Sequence, residues 1–236
     1  MLENYRSVVD MLVLIDHADI EEIKALYEEY PYDGVTTNPS ILKKVGKNPM
    51  LVLKEIRRVI PKQADLHVQL VSLNKEAMLK EAQHIWDELG KATYVKVPVT
   101  AEGFKAIAAM HAKGVTNITA TAIYTAMQAF MAAKAGARYT APYVNRIDNL
   151  GANGVETAKA IHSMFRLHNL QADVLAASFK NSQQVLELCK AGIGSVTAAP
   201  DVLHSLMQHD STTNAVGVFT TDFYSLLGEG KTMIDC

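Results

Sequence analysis

The chain has little of what marks a secreted, metal-dependent or nucleic-acid-binding protein. Only two of its 236 residues are cysteines, Cys189 in a helical pattern and Cys236 at the end. Two thiols so placed make neither a disulfide framework nor a zinc site, and a reducing, cytoplasmic setting is expected. The eight histidines are scattered, without HExxH or a Cys/His cluster, so no metal is expected. Charge of one sign is missing too: 23 basic against 25 acidic side chains give a formal net charge of -2. That balance offers no footprint for nucleic acid or an anionic membrane. No hydrophobic run approaches the ~20 residues of a membrane span. Residues 1–10 lack the cationic start and apolar core of a secretory leader. Neither GxGxxG nor GxxxxGK[ST] occurs, so nucleotide binding through those glycine loops is not indicated.

What is present is alternation. Apolar, β-branched tracts at 11–16, 34–37, 66–71, 93–100, 115–121, 138–144, 173–179 and 194–199 read as eight strands. Helical patterns fall between them: 19–30 (Asp19 as N-cap, Glu22 three residues on), 49–60, 75–89, 101–113 and 122–135. A polar loop at 148–154 then leads to a helix ending at Leu167, followed by a helix at 182–190 and a short one opening at Pro200-Asp201. There is no linker and no low-complexity tract. Eight strands alternating with helices predict an α/β fold, one closed parallel (β/α)8 TIM barrel over residues 1–236. A doubly wound open sheet is the competitor, but it normally has fewer strands and a Gly-rich first turn. Phe219, Phe223, Leu226 and Leu227, at three- and four-residue spacings, predict an amphipathic C-terminal helix at 212–228. It would pack on its own barrel or on a neighbouring subunit.

One strand carries an oddity. In Thr93-Tyr94-Val95-Lys96-Val97-Pro98-Val99-Thr100 a single lysine interrupts an apolar run, on the side opposite Val95, Val97 and Val99. A buried ammonium is costly unless paired or neutralised. Either Lys96 snorkels to water at a strand edge, or it is a desolvated amine used as a nucleophile.

Strand parity weighs on that choice. The helix-facing set should be apolar: Val13 and Ile15; Leu66, Val68 and Leu70; Val95 and Val97; Ile118 and Ala120; Leu175 and Ala177. The opposite parity delivers Asp16, Thr36, Asn38, Gln69, Lys96, Thr119, Thr121, Tyr143 and Ser178 near strand C-terminal ends. Each alone has an ordinary structural explanation, such as turn chemistry for Thr36 and Asn38. Gln69 is harder to dismiss, because a buried amide must find partners. Barrel interiors are normally filled by branched apolar residues, so this many polar groups together point to a site. Inside it, Lys96 would lose proton affinity and could attack a carbonyl. Asp16 would orient it, and Gln69, Thr121 and Tyr143 could hold a water and relay protons. Arg146 and Ser178, past strands six and seven, would bind an anion; Lys180 is a weaker candidate, readily explained as a solvated helix-entry lysine.

Four segments are recognisable together: Gly34-Val35-Thr36-Thr37-Asn38-Pro39-Ser40, Val95-Lys96-Val97-Pro98-Val99-Thr100-Ala101-Glu102-Gly103, Ala141-Pro142-Tyr143-Val144-Asn145-Arg146-Ile147-Asp148 and Leu175-Ala176-Ala177-Ser178-Phe179-Lys180. In this order and spacing they resemble the small transaldolase family, most closely its fructose-6-phosphate aldolase branch. The resemblance implies a metal-free, cofactor-free class I enzyme with the Schiff-base lysine at Lys96. It places Asp16, Tyr143, Gln69 and Thr121 in the catalytic set, and Thr36, Asn38, Asn145, Arg146 and Ser178 around sugar phosphate and hydroxyketone substrates. Transaldolases of the family typically carry glutamate where Gln69 stands and phenylalanine where Tyr143 stands, so by resemblance this pair favours aldol cleavage of fructose 6-phosphate, with transfer of a dihydroxyacetone unit between sugar phosphates as the alternative. It also implies a homo-oligomer, a pentamer or decamer, with the C-terminal helix on a neighbour.

Overall fold

A computed structural model describes residues 11–236; the opening segment, 1–10, read above as lacking leader features, lies outside the described residues. The first half runs β1 (Leu12–Asp16), α1 (Ile20–Glu29), β2 (Gly34–Thr36), α2 (Pro39–Val45), α3 (Pro49–Val59), β3 (Asp65–Gln69), α4 (Lys75–Leu89), β4 (Tyr94–Pro98) and α5 (Ala101–His111). The second runs β5 (Ile118–Ile123), α6 (Ala126–Ala135), β6 (Tyr139–Pro142), α7 (Val144–Asp148), α8 (Gly154–Leu167), β7 (Asp173–Ala176), α9 (Ser182–Lys190), β8 (Ser195–Ala198), α10 (Pro200–Met207) and α11 (Asp210–Leu227). Each strand pairs in parallel with the next, and β8 closes onto β1 from Leu12↔Ser195 to Ile15↔Ala198. The result is the expected (β/α)8 barrel. Among the described residues no helix is long and apolar enough to cross a membrane.

Helix starts follow the capping chemistry of the sequence. Asp19 accepts from the backbone N–H groups of Glu21 and Glu22, Asn48 from Met50 and Leu51, Asn74 from Ala77, and Asn153 from Glu156. Each such cap is worth about 1 kcal/mol against alanine. Thr125 and Gln128 form a reciprocal capping box that starts α6 at residue 126 rather than 122. The intervening residues extend β5 through an irregularity between Ala120 and Ile123, with Ala122 at φ = 59°. A short run of alanine and methionine has no intrinsic way to mark that boundary. Helix α2 was also not foreseen: Asn38 caps it, Pro39 opens it, and Gly46 ends it at φ = 73°. The lysine strand is clamped by α5, because Gly103 lies so close that a Cβ there would run into the Pro98 carbonyl oxygen.

Two apolar regions hold the barrel. The larger lies between sheet and helices, where Ile15, Val35, Leu66, Val68, Val95, Val97, Ile118, Val174 and Val196 meet Leu26, Ile56, Ile85, Ile107 and Ile161. The smaller, Leu14, Tyr139 and Leu175 with Leu12 and Tyr94, sits on the opposite strand parity. One sequence assignment is corrected here. Leu175 belongs to the smaller cluster and Val174 and Ala176 to the larger, so Leu175 and Ala177 do not face the helices. In the short strand Asp173–Ala176 every position from 174 on is apolar, and alternation carries no signal.

Candidate active site

Lys96 lies at the middle of β4, 5 % exposed, between Gln69 of β3 and Thr119 of β5 in the strand register. Its Nζ donates to the Thr37 carbonyl oxygen at 2.9 Å. Burial pushes its pKa below the ordinary lysine range, and the Asp16 carboxylate opposes that in part. It is a desolvated amine, not a snorkelling one.

Asp16 ends β1, half-buried, and its position is fixed by a chain of hydroxyls. Thr36 Oγ1 is 2.6 Å from Asp16 Oδ1 and 2.7 Å from Thr197 Oγ1. A hydroxyl has one hydrogen, so Thr36 donates to the carboxylate and accepts from Thr197. Thr197, on β8 and fully buried, was not singled out from the sequence, although its strand parity would have exposed it.

Thr121 of β5 and Tyr143, just past β6, bring their hydroxyl oxygens to 3.0 Å. Arg146, on the first turn of α7, lies over the Tyr143 ring with its guanidinium carbon 4.5 Å from the centroid. Gln69 is half-buried rather than sealed, and among the described residues its amide has no hydrogen bond, so it stays free for a ligand or water.

Asp16, Asn38, Lys44, Arg146 and Ser178 line one cleft of about 800 Å³ at the C-terminal mouth. Asn38 turns its amide oxygen inward to cap α2 through Ile41 N at 3.0 Å, which leaves its NH2 available. Ser178 reaches the cleft by a route that alternation did not give. It stands at φ = 62°, and this left-handed turn after β7 redirects a side chain that strand parity would send outward. Asn145 contributes through its backbone: its N–H donates to the Ser178 carbonyl at 2.7 Å, and Val144 N–H donates to Ala177 O at 2.9 Å. These two bonds satisfy first-turn donors of α7 and tie the Arg146 helix to the Ser178 turn. The Asn145 side chain does not line the cleft. Lys180 is exposed on the α9 approach.

Beneath the lysine layer is a group that the sequence reading passed over. His67 is fully buried, stacked on Tyr94 at 4.5 Å, with Nδ1 2.9 Å from Thr119 Oγ1. Its Nε2 has no hydrogen-bond partner, and Asp65 Oδ2 is 4.0 Å away. Burial first, and then the Lys96 charge, drive its pKa well below the ordinary histidine value. A lone histidine at interior parity in Leu66-His67-Val68 was the available signal. Among the described residues no three His, Cys, Asp or Glu side chains are grouped as a metal site.

The arrangement is therefore a buried amine, a carboxylate on a hydroxyl chain, a phenol–hydroxyl pair and a cationic mouth. The family model described as transaldolase/fructose-6-phosphate aldolase matches residues 13–232. A probable fructose-6-phosphate aldolase of Streptococcus pneumoniae is 39% identical over 91% of this chain and 96% of its own. Probable transaldolases of Symbiobacterium thermophilum and Clostridium botulinum are 34% and 33% identical, over 92% and 94% of this chain and 99% and 100% of theirs. Among solved structures, a mandelate oxidase mutant aligns with a TM-score of 0.54 at 14% identity, covering 81% of this chain and 64% of that one. That likeness concerns the barrel alone. The matched span takes in all eight strands apart from Leu12 and every residue of the site just described, and on it this chain belongs to the transaldolase/fructose-6-phosphate aldolase family.

Proposed function

We propose that the chain is a class I aldolase that cleaves fructose 6-phosphate reversibly to dihydroxyacetone and glyceraldehyde 3-phosphate through an imine on Lys96. The observation that carries this reading is the buried Lys96 amine, its charged form disfavoured, with the Asp16 carboxylate as neighbour. A free amine adds to the substrate ketone, and loss of water from the carbinolamine gives the iminium. That cation is the electron sink for C3–C4 cleavage once the C4 hydroxyl is deprotonated, a step assigned to Asp16. Thr36, itself held by Thr197, aims the Asp16 carboxylate. Arg146 and Ser178 hold the phosphate at the mouth, with Asn38 along the sugar. The enamine left on Lys96 is protonated through Tyr143, whose phenol is oriented by Thr121 and takes its proton back from water. Hydrolysis then frees dihydroxyacetone.

A second reading, transfer of the dihydroxyacetone unit to another sugar phosphate, is favoured by the likeness to the probable transaldolases of Symbiobacterium and Clostridium. Two groups support cleavage instead. Gln69 supplies an amide where a carboxylate would activate water differently, and the Tyr143 phenol can quench the enamine before an acceptor arrives. The deciding experiment measures free dihydroxyacetone from fructose 6-phosphate with and without erythrose 4-phosphate. Release without the acceptor is expected, and turnover that needs the acceptor overturns the choice.

The proposal extends to assembly and setting. Helix α11 buries none of its residues, while Val216, Phe219 and Leu226 are 57–79 % exposed. Of the two packing options, this disfavours its own barrel and supports a second copy of the chain as its cover, in a pentamer or decamer. The free thiols of Cys189 and Cys236 accord with a reducing cytoplasm.

A further inference from the structure

We propose that Arg146 acts twice: it holds the substrate phosphate, and after that phosphate departs it lies on the Tyr143 ring and promotes proton transfer from the phenol to the enamine carbon. This rests on the Lys96 imine reading above. Its basis is the way the Tyr143 ring is held. Thr121 fixes the phenol oxygen at 3.0 Å, and Tyr124 meets the ring edge-on at 5.7 Å and 86°. The guanidinium of Arg146 covers it at 4.5 Å. Thr121 is buried in β5 and Tyr124 is half-buried, whereas Arg146 is exposed. Among the described residues Arg146 has no carboxylate within ion-pair distance. It is the exposed partner of that ring, and its departure breaks no protein hydrogen bond or ion pair among the described residues. It also borders two hollows, the main cleft beside Ser178 and a shallower one of about 460 Å³ with Tyr124, Asn149 and Leu150.

A cation on the face of an aromatic ring is attracted by the ring's negative π density. When the phenol gives up its proton the ring becomes an anion and the attraction grows, so stacked Arg146 stabilises charge that develops during the transfer. A phosphate dianion bound by the guanidinium competes for that charge through charge-assisted hydrogen bonds. While phosphate is present the phenol is a poorer donor, and the enamine survives for recombination with the aldehyde. Once it leaves, Arg146 returns to the ring. The phenol O–H bond then breaks, its proton joins the enamine carbon using the C=C electron pair, and the nitrogen lone pair re-forms C=N⁺. The phenolate takes a proton back from water on the Thr121 side.

The test follows exchange of the dihydroxyacetone C–H hydrogens in D2O by NMR, with full-length enzyme, no aldehyde and an enzyme-free blank at every phosphate concentration. Saturating inorganic phosphate is expected to slow wild-type exchange about fivefold, a loss typical of one cation–π contact. Arg146→Gln is expected to exchange slowly from the start and to ignore phosphate. Wild-type exchange unaffected by phosphate, or R146Q exchanging as fast as wild type, overturns the inference. Exchange that depends on Lys96 but not on phosphate removes only this role. If K96M matches the blank while wild type does not, the imine reading stands; if wild type also matches the blank, both fall.

Discussion

The Nζ of Lys96 lies 2.9 Å from the Thr37 carbonyl oxygen, and this bond uses one hydrogen of the amine while leaving its lone pair free. A buried amine held in this way is reactive at the expense of stability. Its pKa is lowered in the fold, so the unfolded chain binds the proton more tightly over the window between the folded value and the ordinary lysine value of 10.5. Stability from this group therefore rises with pH across that window, and the penalty is fully present below it. Lys96→Met should raise the melting temperature at pH 7 and abolish cleavage, by about 10⁴-fold or more. Borohydride with dihydroxyacetone should add mass at Lys96 in the wild type and nowhere in the variant; an adduct on another lysine would refute the assignment. Calorimetry at pH 7 and pH 10 checks the stability half.

Tyr143→Phe removes the phenol but keeps the ring under Arg146. Release of free dihydroxyacetone should fall by about 10²-fold or more, the usual worth of a positioned proton donor. KM for fructose 6-phosphate should hardly move, and transfer to added erythrose 4-phosphate should gain relative to release. A uniform loss of both activities would show the phenol to be structural.

Asp65 has its pKa raised to about 6, chiefly by burial and then by the Asp33 charge, against the helpful Arg57 and Arg138. Here the folded state binds the proton more tightly, so stability falls as pH rises from the ordinary carboxyl value of 3.8 towards 6. The penalty is complete above that. Asp65→Asn should stabilise the protein by about 1–2 kcal/mol at pH 8 and by nothing at pH 3.5, after discounting for partial exposure. Denaturant titrations at the two pH values give the comparison; equal effects at both would refute it.

His67 and Thr119 satisfy each other in the barrel interior at 2.9 Å. His67→Phe leaves the Thr119 hydroxyl unpaired, and Thr119→Val leaves His67 Nδ1 unpaired beside the already partnerless Nε2, each at about 1–3 kcal/mol. The double variant leaves neither, so its stability should exceed the sum of the single losses by about 1–2 kcal/mol. Strict additivity in urea unfolding would mean that the contact is unimportant.

Removing the chain after His209 deletes α11, which buries no residue of its own. Sedimentation should then show monomers, with the barrel's circular dichroism retained. An unchanged oligomer would rule out the role given to this helix.

The sequence by itself determined the barrel and put a lysine on the interior parity of its fourth strand. Eight apolar tracts separated by helical ones allow few other closures, and an unpaired lysine at interior parity in β4 has few uses. Asp16, Thr36, Gln69, Thr121 and Tyr143 are read from the same alternation, because in their tracts polar residues alternate with apolar ones and so mark a phase. Tertiary structure decided what alternation cannot encode. β7 is four residues long and apolar from Val174 on, so its phase was read wrongly, and Ser178 reaches the cleft only through its left-handed turn. The Thr36–Thr197 bond and the His67–Thr119 bond join residues 161 and 52 positions apart. They exist because closing a barrel brings distant strand ends together, and no local pattern records that meeting. The stacking of Arg146 on Tyr143 depends in the same way on how α7 is tied to the end of β7.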